Sequence, residues 1–337
     1  MGNRTTTSRD VAVQPPPTTE AMLAELDARA HQDAWRDRAD GTNRAYLSDI
    51  AMWHDFCRAS EISPELISAG LLRLFVEWMD RTHALAPSTM KRRVYGVVTT
   101  LRDLHGIYAV PKGIGHLAES RIAAIERDLV LKGEKRGRGP AGKITPDELR
   151  SLLSSQQQDT PLGLRNRTLM LLAAMLGTRI SENVGIRGDD ITGDREFLVV
   201  RIRWSKTGPK EPVLSAKPGS DLCPVTAWWR WKEVGGIGSG PIYPRMDRHG
   251  NIYRDQPITT RAAEKVIHNA AQKAGLSQRV RVTGHSFRAF MATESYYGGS
   301  SIPEIAAQGG WHPSSRALWG YIRAGEARDR NPTMFID

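Results

Sequence analysis

Thr283-Gly284-His285-Ser286-Phe287-Arg288 sets an imidazole and a guanidinium three residues apart at the opening of a helix. Both side chains then emerge on one face and can meet a single phosphate. A purely structural His–Arg pair satisfies the same spacing. Gly177-Thr178-Arg179-Ile180-Ser181-Glu182 repeats the geometry with Arg179 and Glu182, either an ordinary i, i+3 ion pair or an arginine held in place by its carboxylate. Lys206 lies in a Gly- and Pro-rich turn, which suits either a solvated lysine or one that reaches into a site from a hairpin. Near the carboxyl end stand Gly309-Gly310-Trp311-His312 and Tyr321-Ile322-Arg323. Alone, Tyr321 reads as a helix-packing tyrosine.

The elements that must position these groups fall into two halves. From Thr18 to about Leu131 the apolar residues recur at helical spacing: Tyr46, Ile50, Trp53 and Phe56, then Leu72, Phe75 and Met79, then Val94, Val97, Leu101 and Leu104. This predicts an all-helical domain over 18–131, with Thr42 and Ser88 as N-caps, after an extended lead-in over 1–17. Residues 132–140 carry four basic side chains, one acid and three glycines and nothing apolar, which reads as a basic linker over 132–143. Thr145-Pro146-Asp147-Glu148 opens the next domain, 144–321, with a capping box. A helix from Arg165 to about Leu176 follows, then a small antiparallel hairpin from 197–203 and 212–214, with further helices over 259–274, 285–297 and 302–308. The predicted class is mainly α with a small antiparallel β-sheet.

Charge narrows the partner. Lys and Arg total 47 against 37 Asp and Glu, a formal +10, with a pI near 9.8. Residues 1–131 are net −1 and 132–337 net +11, so the second half owns the excess. A polyanion, nucleic acid first, is the expected partner. No apolar run approaches the roughly 20 residues that span a bilayer, and mean hydropathy is −0.42, so a soluble, membrane-free protein is expected. Two distant cysteines, Cys57 and Cys223, cannot assemble a zinc site or a disulfide framework.

Taken in order, Arg with Glu three on, a hairpin Lys, His-x-x-Arg, Gly-Gly-Trp and a final Tyr resemble the signature of the tyrosine recombinase, or phage integrase, family. The resemblance covers essentially the whole chain. It implies a helical core-binding domain followed by an α+β catalytic domain, with Arg179, Glu182, Lys206, His285, Arg288, Trp311 and Tyr321 as catalytic residues. One departure stands out: the family's His or Trp usually precedes the nucleophile by nine residues, whereas Trp311 precedes Tyr321 by ten and His312 by nine. Either Trp311 keeps the role with one residue inserted, or His312 fills the slot.

These residue types suit phosphoryl transfer. Two guanidiniums can hold the non-bridging oxygens of a crowded phosphorane-like state without deprotonating. A phenol, with a pKa of about 10, needs help to lose its proton, and His285 is a reasonable acceptor. Glu182 would orient Arg179 or the histidine. The resemblance gives Lys206 the task of protonating the departing 5′-hydroxyl. Trp311 offers an indole N–H and an apolar wall against water. Because a 3′-phosphotyrosyl bond preserves the ester, no cofactor, neither ATP nor a metal, is called for.

The resemblance further implies a site-specific recombinase acting as a homotetramer on two DNA sites with inverted half-sites, cytoplasmic and nucleoid-associated, of bacterial, phage or plasmid origin. The segment 322–337, ending Met334-Phe335-Ile336-Asp337, would dock on a neighbouring protomer. DNA contacts are expected from Thr42 and Arg44, from Ser88, Lys91, Arg92 and Arg93 on a solvent-facing helix, and from Lys135, Arg136 and Arg138 in the linker. Arg261 and Glu264 belong to a base-contacting helix, where Arg261 could read guanine bidentately. A type IB topoisomerase or telomere resolvase, and a non-catalytic DNA-binding regulator of the same descent, remain alternatives.

Overall fold

The computed structural model describes residues 18–329 apart from 105, 107–109, 112, 140, 206 and 248, and over 323–329 the backbone alone. The chain divides into two compact units, Met1–Gly139 and Pro140–Asp337. Each is mostly helical. Among the described residues no helix is long and apolar enough to cross a membrane.

The first unit contains α1 (Thr19–Arg36), α2 (Asp40–Ala59), α3 (Ala69–His83), α4 (Pro87–Asp103) and α5 (His116–Leu131). The three apolar stripes read from the sequence form its core, except that Tyr46 is half-buried and Leu104 exposed: Trp53 and Phe56 of α2 and Phe75 of α3 are buried and meet ring to ring, Trp53 edge-on to Phe75 at 5.2 Å between centroids. The two N-caps differ from expectation. α2 starts after Ala39 and α4 after Ala86, neither with a side-chain cap. Pro87, whose fixed φ already suits a helix, takes the first position and draws Ser88 inside. Thr42 likewise falls within the first turn of α2. The basic stretch after α5 is also less free than a linker: Arg136 bonds to Asp80 of α3 at 2.5 Å, because a guanidinium beside a half-buried carboxylate gains a charge-assisted bond.

The second unit opens with α6 (Pro146–Ser154), and its capping box is formed as read. The Thr145 amide donates to Glu148 Oε2 at 2.8 Å, and the Glu148 amide to Thr145 Oγ1 at 3.2 Å. α7 (Pro161–Leu176) is buried on nearly every side and forms the spine, followed by the short α8 (Ile180–Val184). A three-stranded antiparallel sheet runs in the order β1 (Ile191–Gly193), β2 (Phe197–Val200), β3 (Val213–Ser215), with Leu198 opposite Leu214. Beyond β2, Ile202 and Lys210 exchange both backbone bonds, at 2.8 and 3.1 Å, and so close the loop between them. Then come α9 (Pro224–Gly235), a second hairpin of β4 (Pro244–Met246) and β5 (Ile252–Pro257), α10 (Thr260–Lys273), α11 (Gly284–Tyr297), α12 (Ile302–Gly309) and α13 (Arg316–Asp329). α13 runs through Tyr321 without a break, so the expected boundary at 322 is not a structural one. The apolar end 334–336, expected to dock on a neighbour, lies outside the described residues.

Candidate active site

The α11 entry fixes two of the predicted groups. The Thr283 hydroxyl accepts from the His285 amide at 3.2 Å, and the Thr283 amide donates to Ser286 Oγ at 3.1 Å. Helix therefore begins at Gly284, and Arg288 follows His285 by one turn. Arg288 is 2% exposed. Its Nη1 donates to the carbonyls of Gly177, at the end of α7, and of Gly309, at the end of α12, the latter at 3.1 Å. These partners are backbone carbonyls rather than carboxylates, so the charge is oriented but not neutralised. Burial, with Arg179 nearby, brings the Arg288 pKa down to about 10, while Glu182 and the Tyr321 phenol act in the opposite direction.

Arg179 enters from the turn between α7 and α8. Its Nη1 bonds to Glu182 Oε1 at 2.5 Å, and its amide to Oε2 of the same carboxylate at 3.0 Å. One glutamate thus holds both the backbone and the side chain of the arginine. The guanidinium remains about one-third exposed while Glu182 is nearly buried, which leaves it able to face a ligand.

Trp311 lies with its ring 4.2 Å from Arg288 Cζ, and it meets Tyr321 edge-on at 6.0 Å between centroids. His312 is exposed, its Nδ1 engaged with Ser314 Oγ at 2.7 Å. Of the two candidates for the slot, it is Trp311 that contacts both the arginine and the tyrosine. Gly309 makes this approach possible: a Cβ there would fall 1.9 Å from the indole. Tyr321 itself is anchored through its carbonyl, which accepts from Lys143 Nζ at 3.1 Å and Thr293 Oγ1 at 3.3 Å. His285 reaches solvent, yet partial burial first, and then Arg288, hold its pKa below the usual 6.5. Glu264 opposes this, and Arg179 and Arg281 add to it. Its imidazole is therefore neutral at pH 7.

Lys206 lies outside the described residues. The same loop brings a lysine that the sequence pattern does not announce, Lys210, whose Nζ donates to the Gln308 carbonyl at 3.3 Å. Burial is the main cause that lowers its pKa to about 8. Arg288 and Arg179 lower it further and Glu182 raises it. Thr207 adds a second tie, its hydroxyl donating to the Gly310 carbonyl at 3.2 Å. No regular periodicity marks Lys210; its signal is the backbone register with Ile202.

Most of the expected nucleic-acid contacts lie on the surface. Thr42, Arg44, Ser88, Lys91, Lys135, Arg138 and Arg261 are exposed. Arg92 and Arg93 are not simply solvent-facing. Both pair with the fully buried Asp49, Arg92 at 2.5 Å and Arg93 at 3.1 Å, and Arg93 keeps only 14% side-chain exposure. Burying Asp49 without a counter-charge would be costly, and it recruits the two nearest cations of α4. Glu264 points inward as well, its Oε2 accepting from the Gly284 amide at 3.2 Å, next to His285.

Residues 143–327 match the family model described as the phage integrase family. Recombinase cre of Escherichia phage P1 is 26% identical over 314 residues, 86% of this chain and 87% of that protein. The putative integrase/recombinase y4rA of Sinorhizobium fredii is 28% identical over 186 residues, 53% of this chain, and tyrosine recombinase XerC of Halalkalibacterium halodurans is 30% identical over 159, 46% of this chain. The chain spans 41% and 49% of those two relatives. A lambda integrase tetramer bound to a Holliday junction shares the fold with a TM-score of 0.60 at 16% identity, covering 94% of this chain and 83% of its own. The XerH post-cleavage complex gives 0.58 at 17%, covering 93% and 83%.

Proposed function

Because the chain belongs to the phage integrase family, we propose that it cuts and rejoins DNA at specific sites through a 3′-phosphotyrosyl intermediate formed on Tyr321, exchanging strands between two sites. The observation that carries the reading is the convergence, within one unit, of Arg288, Arg179, Trp311 and the Tyr321 phenol. Two guanidiniums bind the non-bridging oxygens, where negative charge grows as the phenolate oxygen attacks phosphorus. Glu182 fixes the direction of Arg179. Neutral His285 accepts or orients the phenolic proton, which a protonated imidazole could not do. Trp311 walls the phosphate from water, so that the next nucleophile is a DNA 5′-hydroxyl. The departing 5′-oxygen must gain a proton, and the loop after β2, which carries Lys206 and Lys210, supplies it. Each bond broken is replaced by one of similar energy, so the chemistry is reversible without ATP.

The near-full-length likeness to the Cre recombinase supports paired inverted half-sites and a tetramer on two duplexes, as does the shared fold with a tetrameric junction complex. The excess of basic residues in the second half supports a duplex lying along that unit. The test is incubation with a random duplex library, followed by sequencing of fragments left covalently attached. Wild-type protein should retain a defined sequence and Tyr321→Phe none, with binding intact. Attachment by the Phe variant would remove Tyr321 from its role.

A further inference from the structure

Trp204, on the loop after β2, is the most exposed large apolar side chain among the described residues, at 80%. The catalytic cluster makes no use of it. An aromatic side chain of this size contributes to a fold by burying about 150–250 Å². An indole left almost wholly in water forgoes that gain.

The loop does not leave it loose. Ile202, two residues earlier, is buried and exchanges both backbone bonds with Lys210. Arg203 is held by Asp190 at 2.6 Å and by Asp189 at 3.1 Å. Ser205, the next residue, is buried as well, and its hydroxyl donates to the Gly208 carbonyl at 2.5 Å. With anchors on both sides the backbone presents the indole outward, so a partner would have little chain left to order.

Two observations say what that partner is. An open recess of about 670 Å³ on the same loop is lined by Arg201, Arg203, Pro209, Lys210 and Glu211, three cations against one acid. Arg201 and Arg203 keep about half of their side-chain surface open, which suits a polyanion. The loop is also tied to the reaction centre, for Thr207 donates to the Gly310 carbonyl at 3.2 Å, next to Trp311. Three residues of chain reach at most about 11 Å, and that is the rise of about three base pairs.

We infer that Trp204 stacks on a DNA base, entering the duplex at a step a few base pairs from the scissile phosphate. This rests on the recombinase reading above and deepens it by naming a residue that helps select the cleavage sequence. A base face is a flat partner that an indole accepts whatever the base. Inside a duplex that face is covered by the neighbouring base, so the indole must part a step to reach it. The cost depends on which bases are parted and is lowest at pyrimidine–purine steps. Trp204 therefore favours sequences that carry such a step at its position.

The test is binding to the captured cleavage sequence in a Tyr321→Phe background, with one mismatch moved step by step along both sides of the scissile phosphate. A mismatch lowers the cost of unstacking. The parent should bind at least about 5-fold tighter when the mismatch sits at one particular step, the lower range for one base–aromatic stack. W204A should lose that preference, varying by no more than about 2-fold along the series, and W204F should keep most of it. Indole emission should fall on binding by a share that W204F lacks. Because the side chain is exposed, W204A should unfold in urea as the parent does.

A mismatch preference that survives in W204A, or a series in which the parent shows none, would overturn the assignment. So would a W204A defect confined to duplexes with two half-sites, which would give the indole to a neighbouring protomer. If wild-type protein left no covalent adduct on any duplex, the recombinase reading would fall and this inference with it.

Discussion

Two arginine clusters, one in each unit, handle buried charge in opposite ways. In the first unit Asp49 is fully buried and draws both Arg92 and Arg93 onto its two oxygens. Nearby, Asp103 collects Arg38 and His31. Each carboxylate is shared, and the cations on it serve the packing of α1, α2 and α4. In the second unit Arg288 is as deeply buried but rests on two carbonyls, while Glu182, the carboxylate that acts on it among the described residues, is spent on Arg179. Partial charges orient a guanidinium without cancelling it. A closed cluster holds a fold together, whereas an open one keeps its charge for an arriving anion.

The sharpest way to break this contrast is to remove the open charge. Arg288→Ala should cut covalent DNA attachment by about 100- to 1,000-fold, as loss of one oxyanion-stabilising donor does. Arg288→Met should leave unfolding by urea nearly unchanged, since a buried uncompensated cation contributes little to stability. Asp49→Ala should do the reverse to the closed cluster: a loss of about 3–5 kcal/mol in urea unfolding, because it leaves the largely buried Arg93 without its carboxylate. If Arg288→Met proved as destabilising as Asp49→Ala, the distinction between the clusters would be lost.

A smaller effect comes from Gly96, where a Cβ would lie 2.2 Å from Asp49 Oδ2. Gly96→Ala should cost about 1–3 kcal/mol by overpacking, measured in the same titration. The smallest concerns His285. A base whose pKa lies below 6.5 is mostly neutral at pH 7, so the acid limb of the cleavage rate should fall below pH 6.5. Glu264 raises that pKa against Arg288, Arg179 and Arg281. Glu264→Gln should therefore move the limb to still lower pH, by less than about one unit. Weaker DNA binding with an unmoved limb would mean that Glu264 serves the duplex instead.

What could be read in advance was local. The Thr145–Glu148 capping box, the Arg179–Glu182 pair and the His285–Arg288 turn depend on neighbours three residues apart, a spacing that a helix fixes by itself. The three stripes of the first unit were legible because each keeps one face apolar. α7 shows no such face, being enclosed on nearly all sides, and it starts at Pro161 rather than Arg165. β1, β3 and β4 have three residues each, too few for alternation to register. The arrival of Lys210 beside Arg288, the pairing of Arg92 with Asp49 and the inward turn of Glu264 join residues 40 or more positions apart, or 20 in the last case. Such meetings are products of packing. The choice between Trp311 and His312 was likewise not one that counting to Tyr321 could make; it turns on which ring fits over a guanidinium.

Gly309 carries a practical consequence. Because any side chain there would strike the Trp311 indole, random mutagenesis aimed at retargeting this protein should treat the position as invariant. Diversity is better spent on exposed sites such as Arg44, Lys91 and Arg261, where a library can sample new chemistries while the reaction centre keeps its shape.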